Sequence, residues 1–173
     1  EVGIPVITAE DEAESLASSL AVERKISAVW SADTDTYPIG SPLVVKGFET
    51  INGELCINTV FTLKILRDLE LNHEEFRDFC IMLGTDFNDR IPGIGPAKSY
   101  LLIKKYRNIE TIDRETRHNC HCLKHIENRD QLSAYETGVD PEKEMTISKE
   151  TDYSFLEQKY SNVRKIKELL LAI

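Results

Sequence analysis

The chain has 173 residues, and its 41% hydrophobic and 29% charged side chains are typical of a globular protein, which excludes wholesale disorder. No run of about 18 apolar residues is present, so we expect no membrane-spanning segment. The net charge of −9 by itself argues against a nucleic-acid partner. Four cysteines are too few and too unevenly spaced for a secreted disulfide module, which predicts an intracellular protein: Cys56, Cys80, Cys120 and Cys122.

The first part of the chain has the pattern of an α/β fold. Residues 4–7 predict a short strand, residues 12–22 an amphipathic helix, and residues 26–30 a second strand parallel to the first. Such a βαβ unit favours a buried parallel sheet. We therefore expect Trp30, at the end of the second strand, to lie in the core.

The pattern changes from strands to helices near residue 60. Asn52-Gly53 separates two apolar runs and is the strongest short signal for a β-hairpin. The two strands of this hairpin are expected at residues 43–48 and 54–60. Apolar spacing and capping residues then predict helices near residues 63–69, 72–83, 97–106 and 163–172. The chain therefore divides into an α/β part, residues 1–60, and a helical part, residues 61–173.

Acidic side chains crowd two places in the α/β part. Residues 9–35 carry seven acidic and two basic side chains, a balance of −5. Glu12 and Glu14 lie at the start of the first helix, and Asp33 and Asp35 follow the second strand. On an extended backbone, side chains two residues apart point to the same side. Because ligand-binding groups gather at the carboxyl ends of parallel strands, we expect both acidic pairs to face each other.

Carboxylates packed in this way predict a site for a hard divalent cation. Mg²⁺ and Mn²⁺ prefer oxygen ligands, and two such ions about 3.5–4 Å apart are a common device for phosphodiester hydrolysis. Two simpler explanations stay open. Acidic residues in the first turn of a helix are favoured by the helix dipole, and Asp-x-Asp after a strand is often only a turn.

A basic segment punctuated by glycine follows in the helical part. Residues 90–107 carry five basic side chains and no acidic one, a local charge of +5. The tight turn Gly93-Ile94-Gly95 before a helix presents backbone N–H groups to an anion such as phosphate. The basic side chains expected to reach flanking phosphates are Lys98, Lys104 and Lys105. The alternative is an ordinary helix–turn–helix corner that needs glycine for its geometry.

Residues 117–125 contain histidines and cysteines that suggest a zinc site. Their spacing disfavours it, because all the ligands lie within eight consecutive positions and structural zinc needs well-separated pairs. Partly buried thiols and surface histidines are the expected outcome. In the helix before the basic segment, Phe76 and Phe79 are expected to fill the core.

Five segments in sequence order closely resemble the flap endonuclease (XPG/Rad2-like) family. They run from residue 3 to residue 96, and the matched region extends through the basic helix to about residue 107. The segments are Gly3-Ile4-Pro5, Ala9-Glu10-Asp11-Glu12-Ala13-Glu14, Ser31-Ala32-Asp33-Thr34-Asp35, Phe79-Cys80-Ile81-Met82-Leu83-Gly84-Thr85-Asp86-Phe87 and Ile91-Pro92-Gly93-Ile94-Gly95-Pro96. Two small departures are Phe87, where tyrosine is usual, and Ala97, where many members have lysine.

This resemblance implies a fold, an activity and a set of site residues. The fold is part of a parallel-sheet PIN-like nuclease domain followed by a helix-hairpin-helix at about residues 72–107. The activity is divalent-metal-dependent 5′ nuclease action on branched or nicked double-stranded DNA, with two Mg²⁺ or Mn²⁺ ions in a complete site. The implied metal ligands are Glu12, Glu14, Asp33, Asp35 and Asp86. A potassium ion is implied at the backbone carbonyls of Leu83, Arg90 and Ile94.

The resemblance also implies a further nuclease segment. Family members carry N-terminal strands, two more metal-binding aspartates and a helical arch before the region that corresponds to Glu1. We expect this segment to be a separate chain or to have been removed, and the chain alone to cleave weakly or not at all. The alternative is a non-catalytic DNA-binding or scaffold module. An acidic protein-interaction domain does not account for the acid-free segment at residues 90–107. For a cellular eukaryotic source we expect the nucleus.

Overall fold

The computed structural model describes residues 6–116 and 129–144. The chain divides into two compact units, one formed by Ala9–Gly138 and the other by Glu1–Thr8 with Val139–Ile173. The larger unit contains both the acidic and the basic segments. The described part of the smaller unit contains one short helix, Pro141–Glu144. The predicted helix at residues 163–172 and the cysteine and histidine segment at residues 117–125 lie outside the described residues.

Three strands and six helices make up the described part of the larger unit. In chain order they are α1 (Ala13–Val22), β1 (Val29–Trp30), α2 (Thr36–Ile39), β2 (Leu43–Ile51), β3 (Glu54–Phe61), α3 (Thr62–Leu69), α4 (His73–Leu83), α5 (Pro96–Tyr106) and α6 (Ile109–Thr116). None of the helices in the described ranges is long and apolar enough to cross a lipid bilayer.

The sheet has the strand order β1-β2-β3, and its parallel pair differs from the predicted one. β1 runs parallel to β2, with Val29 opposite Val44, and β2 runs antiparallel to β3. The predicted partner, residues 4–7, is wrong within its described part, because Val6 and Ile7 belong to no strand. The crossover from β1 to β2 passes through α2, whose four residues are too few to show a helical period in the sequence.

The predicted hairpin is confirmed. Asn52 and Gly53 connect β2 and β3 with φ angles of 54° and 84°, the positive pair that a type I′ turn requires. The ladder is irregular between Val45 and Gly47, which leaves Lys46 as an extra residue on β2. A bulge of this kind bends the strand and redirects the side chain of the extra residue.

The core of the larger unit lies around α4 and its helical neighbours. The fully buried side chains there include Ile81, Met82, Ile103, Ile109, Ile112 and Leu132. Phe76 belongs to this core and Phe79 packs against it, as predicted. The capped start predicted for α4 is present as a capping box, since the Asn72 side chain accepts from the Glu75 N–H at 2.9 Å and the Glu75 side chain accepts from the Asn72 N–H at 3.0 Å.

Trp30 lies outside the core, so the prediction that it is buried is wrong. Its side chain is 68% exposed, and its ring contacts the ring of Phe48 edge-on at 5.0 Å. Trp30 lies on the same sheet face as several other exposed apolar side chains of the hairpin. These are Phe48, Leu55, Ile57 and Phe61. We refer to Trp30 and these four residues as the open sheet face.

Residues 129–138 form a strap that connects the helical part to α1. At one end, the Arg129 guanidinium donates to the carboxylates of Asp78 and Glu110. At the other end, the Glu23 carboxylate accepts from the backbone N–H of Thr137 at 3.3 Å and from its hydroxyl at 2.5 Å. The strap therefore fixes α1, which carries two of the predicted site residues near its start.

Candidate metal centre and nucleic-acid interface

The five predicted carboxylates line one small cavity. Its volume is about 20 Å³, which is enough for one water-sized group. Its lining contains Glu12, Glu14, Asp33, Asp35 and Asp86, with Ser15, Ile39 and Phe87 between them. We call it the acidic cavity. The structure thus brings together five side chains that are up to 74 residues apart in sequence.

Three separate parts of the fold deliver these carboxylates. Glu12 is the N-cap of α1 and Glu14 lies in its first turn. Asp33 and Asp35 lie in the loop between β1 and α2, and Asp86 follows α4. Both acidic pairs, one at the start of α1 and one after β1, line the acidic cavity together with Asp86. The sequence pattern predicts this proximity from a parallel strand before α1, but Val6 and Ile7 of that predicted strand form no strand in the structure.

The loop that carries Asp33 and Asp35 is a turn rather than the extended segment that we expected. The Asp33 carboxylate accepts from the backbone N–H of Asp35 at 3.0 Å, and Asp35 has helical angles of φ −66° and ψ −19°. The Ser31 hydroxyl accepts from the Asp33 N–H at 2.9 Å. Aspartate favours such turns because its short side chain reaches its own backbone. Both aspartates line the acidic cavity even so.

The acidic cavity disfavours negative charge in the absence of a cation. Burial raises the pKa of Asp35 above its ordinary value, and the neighbouring carboxylates of Asp33, Asp86 and Glu12 raise it further. A backbone hydrogen bond from Asp86 acts in the opposite direction and lowers this pKa. The net shift is upward, so a bound cation would stabilise the ionised form of the Asp35 carboxylate.

The donor set fits a hard divalent cation in its chemistry, because all five side chains offer carboxylate oxygens. The five carboxylates do not form a closed coordination site. Over residues 6–116 and 129–144, no three histidine, cysteine, aspartate or glutamate side chains converge closely enough to hold one ion. Mutual repulsion favours the separation of carboxylates whose charge no cation compensates. The roles of these five residues as metal ligands stay predictions.

The glycine-punctuated segment forms a compact turn between α4 and α5. Gly84 has φ +93°, and a Cβ there would lie 2.8 Å from the backbone nitrogen of Arg90, so only glycine fits. Gly93 has φ +75°, and Ile94 is buried. The chain at Leu83 and Gly84 therefore passes close to Arg90. Binding of potassium by the carbonyls of Leu83, Arg90 and Ile94 stays a prediction.

The three lysines predicted to contact phosphate have different surroundings. Lys98 is exposed near the start of α5. Lys105 is exposed as well, with its ammonium 4.7 Å from the centre of the Tyr106 ring. Lys104 differs, because its ammonium binds the carboxylate of Glu70 at 2.8 Å and the Glu70 carbonyl at 3.2 Å. No pattern in the sequence predicts this partner, which is 34 residues away.

Two further features beside the acidic cavity were not found from the sequence. A second cleft of about 280 Å³ shares Asp35 with it and has Tyr37, Phe79 and Cys80 in its wall. Burial raises the pKa of the Cys80 thiol to about 12, so this cysteine is unreactive. Lys46, the bulge residue of β2, reaches the loop that carries Asp33 and Asp35. Alternating sequence patterns do not reveal bulges.

Comparison with known proteins finds similar sequences and similar folds. Residues 3–86 match the family model described as the XPG I-region. Flap endonuclease 1 of Encephalitozoon cuniculi is 40% identical over 112 residues, which are 64% of this chain and 32% of the relative. The structure of flap endonuclease-1 from Methanococcus jannaschii superposes with a TM-score of 0.59 and 24% identity, over 78% of this chain and 41% of that one.

The structure of the catalytic core of Rad2 in complex with DNA substrate is also similar, with a TM-score of 0.57 and 19% identity over 87% of this chain and 53% of that one. Together with the α/β architecture, these similarities define the class of fold, that of the PIN-like nucleases. In sequence, residues 3–86 are similar to the XPG I-region, and the chain is similar to flap endonuclease 1 over 64% of its length. The matched part of the chain spans 22% and 32% of the length of two curated relatives, both flap endonucleases.

Proposed function

We propose that this chain is the metal-binding and DNA-holding part of a structure-specific 5′ nuclease that hydrolyses phosphodiesters in branched or nicked DNA. The observation that carries the proposal is the acidic cavity, in which three separate parts of the fold deliver five carboxylates. One of them, Asp86, lies at the entry of the basic segment. The cavity is therefore next to the part of the chain that is suited to hold DNA.

The carboxylates would bind two Mg²⁺ or Mn²⁺ ions in a complete site. Such ions activate a water molecule for attack and stabilise the leaving oxygen of a phosphodiester. Asp33, Asp35 and Asp86 would hold a cation from the sheet and α4 sides of the acidic cavity, and Glu12 and Glu14 from the α1 side. A carboxylate coordinates a cation only in its ionised form. Cation binding should therefore weaken as the pH falls through the raised pKa of Asp35.

The segment between α4 and α5 would hold the DNA backbone. Its turn presents backbone N–H groups at Gly93 to Gly95, and the exposed ammonium groups of Lys98 and Lys105 can contact phosphates on either side. Potassium at the carbonyls of Leu83, Arg90 and Ile94 would stiffen the same turn. Contacts to phosphate carry no sequence information, so we expect binding that depends on DNA structure rather than on base sequence.

Two further parts of the proposal concern the remainder of the nuclease and its location in the cell. The nuclease would use an N-terminal segment that supplies the rest of the sheet and further ligands, either as a separate polypeptide or within a longer protein. A role on cellular DNA in replication, repair or recombination would place a eukaryotic form in the nucleus. The similarity to flap endonucleases over 64% of this chain supports both parts.

The test is cleavage of a 5′-flap DNA in Mg²⁺ or Mn²⁺ by the chain and by its Asp33→Ala variant. Each protein is assayed alone and with the N-terminal segment of a flap endonuclease added as a second polypeptide. We expect cleavage to appear with the added segment and to fall by at least about 100-fold in the variant, because a ligand carboxylate is lost. Asp68→Ala on α3 is the matched control, since this exposed aspartate pairs only with Lys64 among the described residues.

Equal cleavage by the wild type and Asp33→Ala would remove the metal role of the cavity. The absence of three converging ligands in the described residues favours one alternative, a non-catalytic DNA-binding or scaffold module. That alternative predicts flap binding without cleavage in every arm, and no effect of Mn²⁺ on the stability of the protein. Metal-dependent stabilisation of the wild type that is lost in Asp33→Ala would decide against it.

A further inference from the structure

Lys46 contacts the loop of the acidic cavity on both sides of its aspartates. Its ammonium donates to the backbone carbonyl of Ala32 at 2.5 Å, immediately before Asp33. The same ammonium lies 5.6 Å from the centre of the Tyr37 ring, two residues after Asp35, within the range of a cation–π contact. One side chain from β2 therefore touches the two ends of the segment that carries both carboxylates.

The bulge in β2 makes these contacts possible. Lys46 is the unpaired residue between Val45 and Gly47, so its side chain does not follow the alternation of the strand. Bulges occur preferentially beside active sites, where they redirect a side chain. Lys46 forms no salt bridge with any carboxylate in the described part of the chain, and its hydrogen bond goes to backbone. It therefore acts on the shape of the loop.

The loop needs such support because its own hydrogen bonds are local. The Asp35 N–H donates to the carboxylate of Asp33, and the Tyr37 N–H donates to the carbonyl of Thr34 at 3.1 Å. A cation that takes the Asp33 carboxylate as a ligand competes with the first of these bonds. The Lys46–Ala32 bond is then a constraint that does not depend on either aspartate.

We propose that Lys46 is a positioning residue for the candidate metal centre. Through its contacts with Ala32 and Tyr37, it holds Asp33 and Asp35 at the wall of the acidic cavity. The identity of the ligand, a divalent cation, rests on the proposed function. Residues that orient metal ligands typically change metal affinity by 10- to 100-fold when they are replaced, with about 10-fold as the lower end. We expect about a 10-fold loss for the neutral variant Lys46→Met.

The first measurement follows hydrogen exchange of the backbone amides in residues 33–37 of the full chain without metal. We expect faster exchange in Lys46→Met and near wild-type exchange in Lys46→Arg, which keeps the charge and the donor. Lys64→Met is the matched control, because Lys64 is an exposed lysine on α3 that pairs with Asp68. Tyr37→Leu is a second variant, expected to change exchange in the same direction if Lys46→Met fails to fold.

The second measurement is the affinity for Mn²⁺ by titration calorimetry. A 10-fold loss in Lys46→Met, with rescue in Lys46→Arg, supports the proposal. Unchanged exchange at residues 33–37 overturns it, and so does faster exchange with unchanged Mn²⁺ affinity. If the wild type binds no Mn²⁺ and exchange still depends on Lys46, the proposed metal function fails while the role of Lys46 in positioning the loop stands.

Discussion

Ionisation of Asp35 destabilises the folded chain, and the proposed cation binding requires this ionised form. Its pKa is raised because its carboxylate is partly buried and close to Asp33, Asp86 and Glu12. A carboxyl group with a higher pKa in the folded state binds protons more tightly there than in the unfolded chain. The free energy of unfolding therefore falls as pH rises through the interval between the unfolded and the folded pKa.

We accordingly expect Asp35→Asn to stabilise the metal-free chain at pH 7 and to have no such effect at pH 3. The gain should stay below about 1 kcal/mol, because solvent screens a partly exposed carboxylate. Urea unfolding at both pH values measures it. Mn²⁺ should raise the stability of the wild type and leave Asp35→Asn unchanged. A variant less stable than the wild type at pH 7 would contradict the repulsion inferred within the cavity.

At the scale of secondary structure, the strap is held at one end by a buried charge. Asp78 is 3% exposed, and its carboxylate accepts both from Arg129 and from the backbone N–H of Ile109 at the start of α6. Removal of the guanidinium would leave this carboxylate with one donor among the contacts seen here. Removal of one partner from a buried pair is much more costly than the net contribution of the pair.

We expect Arg129→Met to lower the free energy of unfolding by about 3 kcal/mol for this reason. The double variant Arg129→Met/Asp78→Asn should recover part of the loss, because it removes the unpaired charge as well. Denaturant unfolding of the single and double variants gives the coupling energy directly. Replacement of the exposed Lys64 by methionine, expected to cost less than about 0.5 kcal/mol, is the control. Purely additive effects would show that the two residues act independently.

Local chemistry decided which secondary elements could be predicted. The hairpin at Asn52-Gly53 and the capping box of Asn72 and Glu75 are encoded within four residues, and both are confirmed. The partner of β1 and the exposure of Trp30 are set by distant parts of the chain. Among the site residues, the five carboxylates lie near the ends of α1, β1 and α4 and line one cavity, although the parallel strand expected before α1 is absent from its described part. The contacts of Lys46 and Lys104 do not, because a bulge and a long-range ion pair leave no periodic signal.

At the scale of the whole molecule, the net charge of −9 conceals two regions of opposite sign. Residues 9–35 carry a balance of −5 and residues 90–107 a balance of +5. Binding to a polyanion through the second region is therefore compatible with an acidic chain. The charge of a region, and not that of the chain, determines how it interacts with a phosphate backbone.

We expect Lys98→Ala to weaken binding to duplex DNA equally for all base sequences and to reduce the salt slope by about 1. Lys104→Ala should reduce it less, because Glu70 already compensates that charge. Fluorescence anisotropy with labelled duplexes at several salt concentrations measures both slopes. A loss confined to particular base sequences would argue against contact with the backbone alone.

Trp30 is the single tryptophan of the chain, and it lies on the open sheet face with 68% of its side chain exposed. Its emission therefore reports on this face without any label. In the chain as it stands, we expect a spectrum shifted to the red and readily quenched by acrylamide, with the neighbouring Phe48 ring shielding one edge of the indole. A polypeptide segment or partner that covers the hairpin would shift the tryptophan emission to the blue and slow its quenching. The fluorescence of Trp30 therefore measures whether this sheet face is covered.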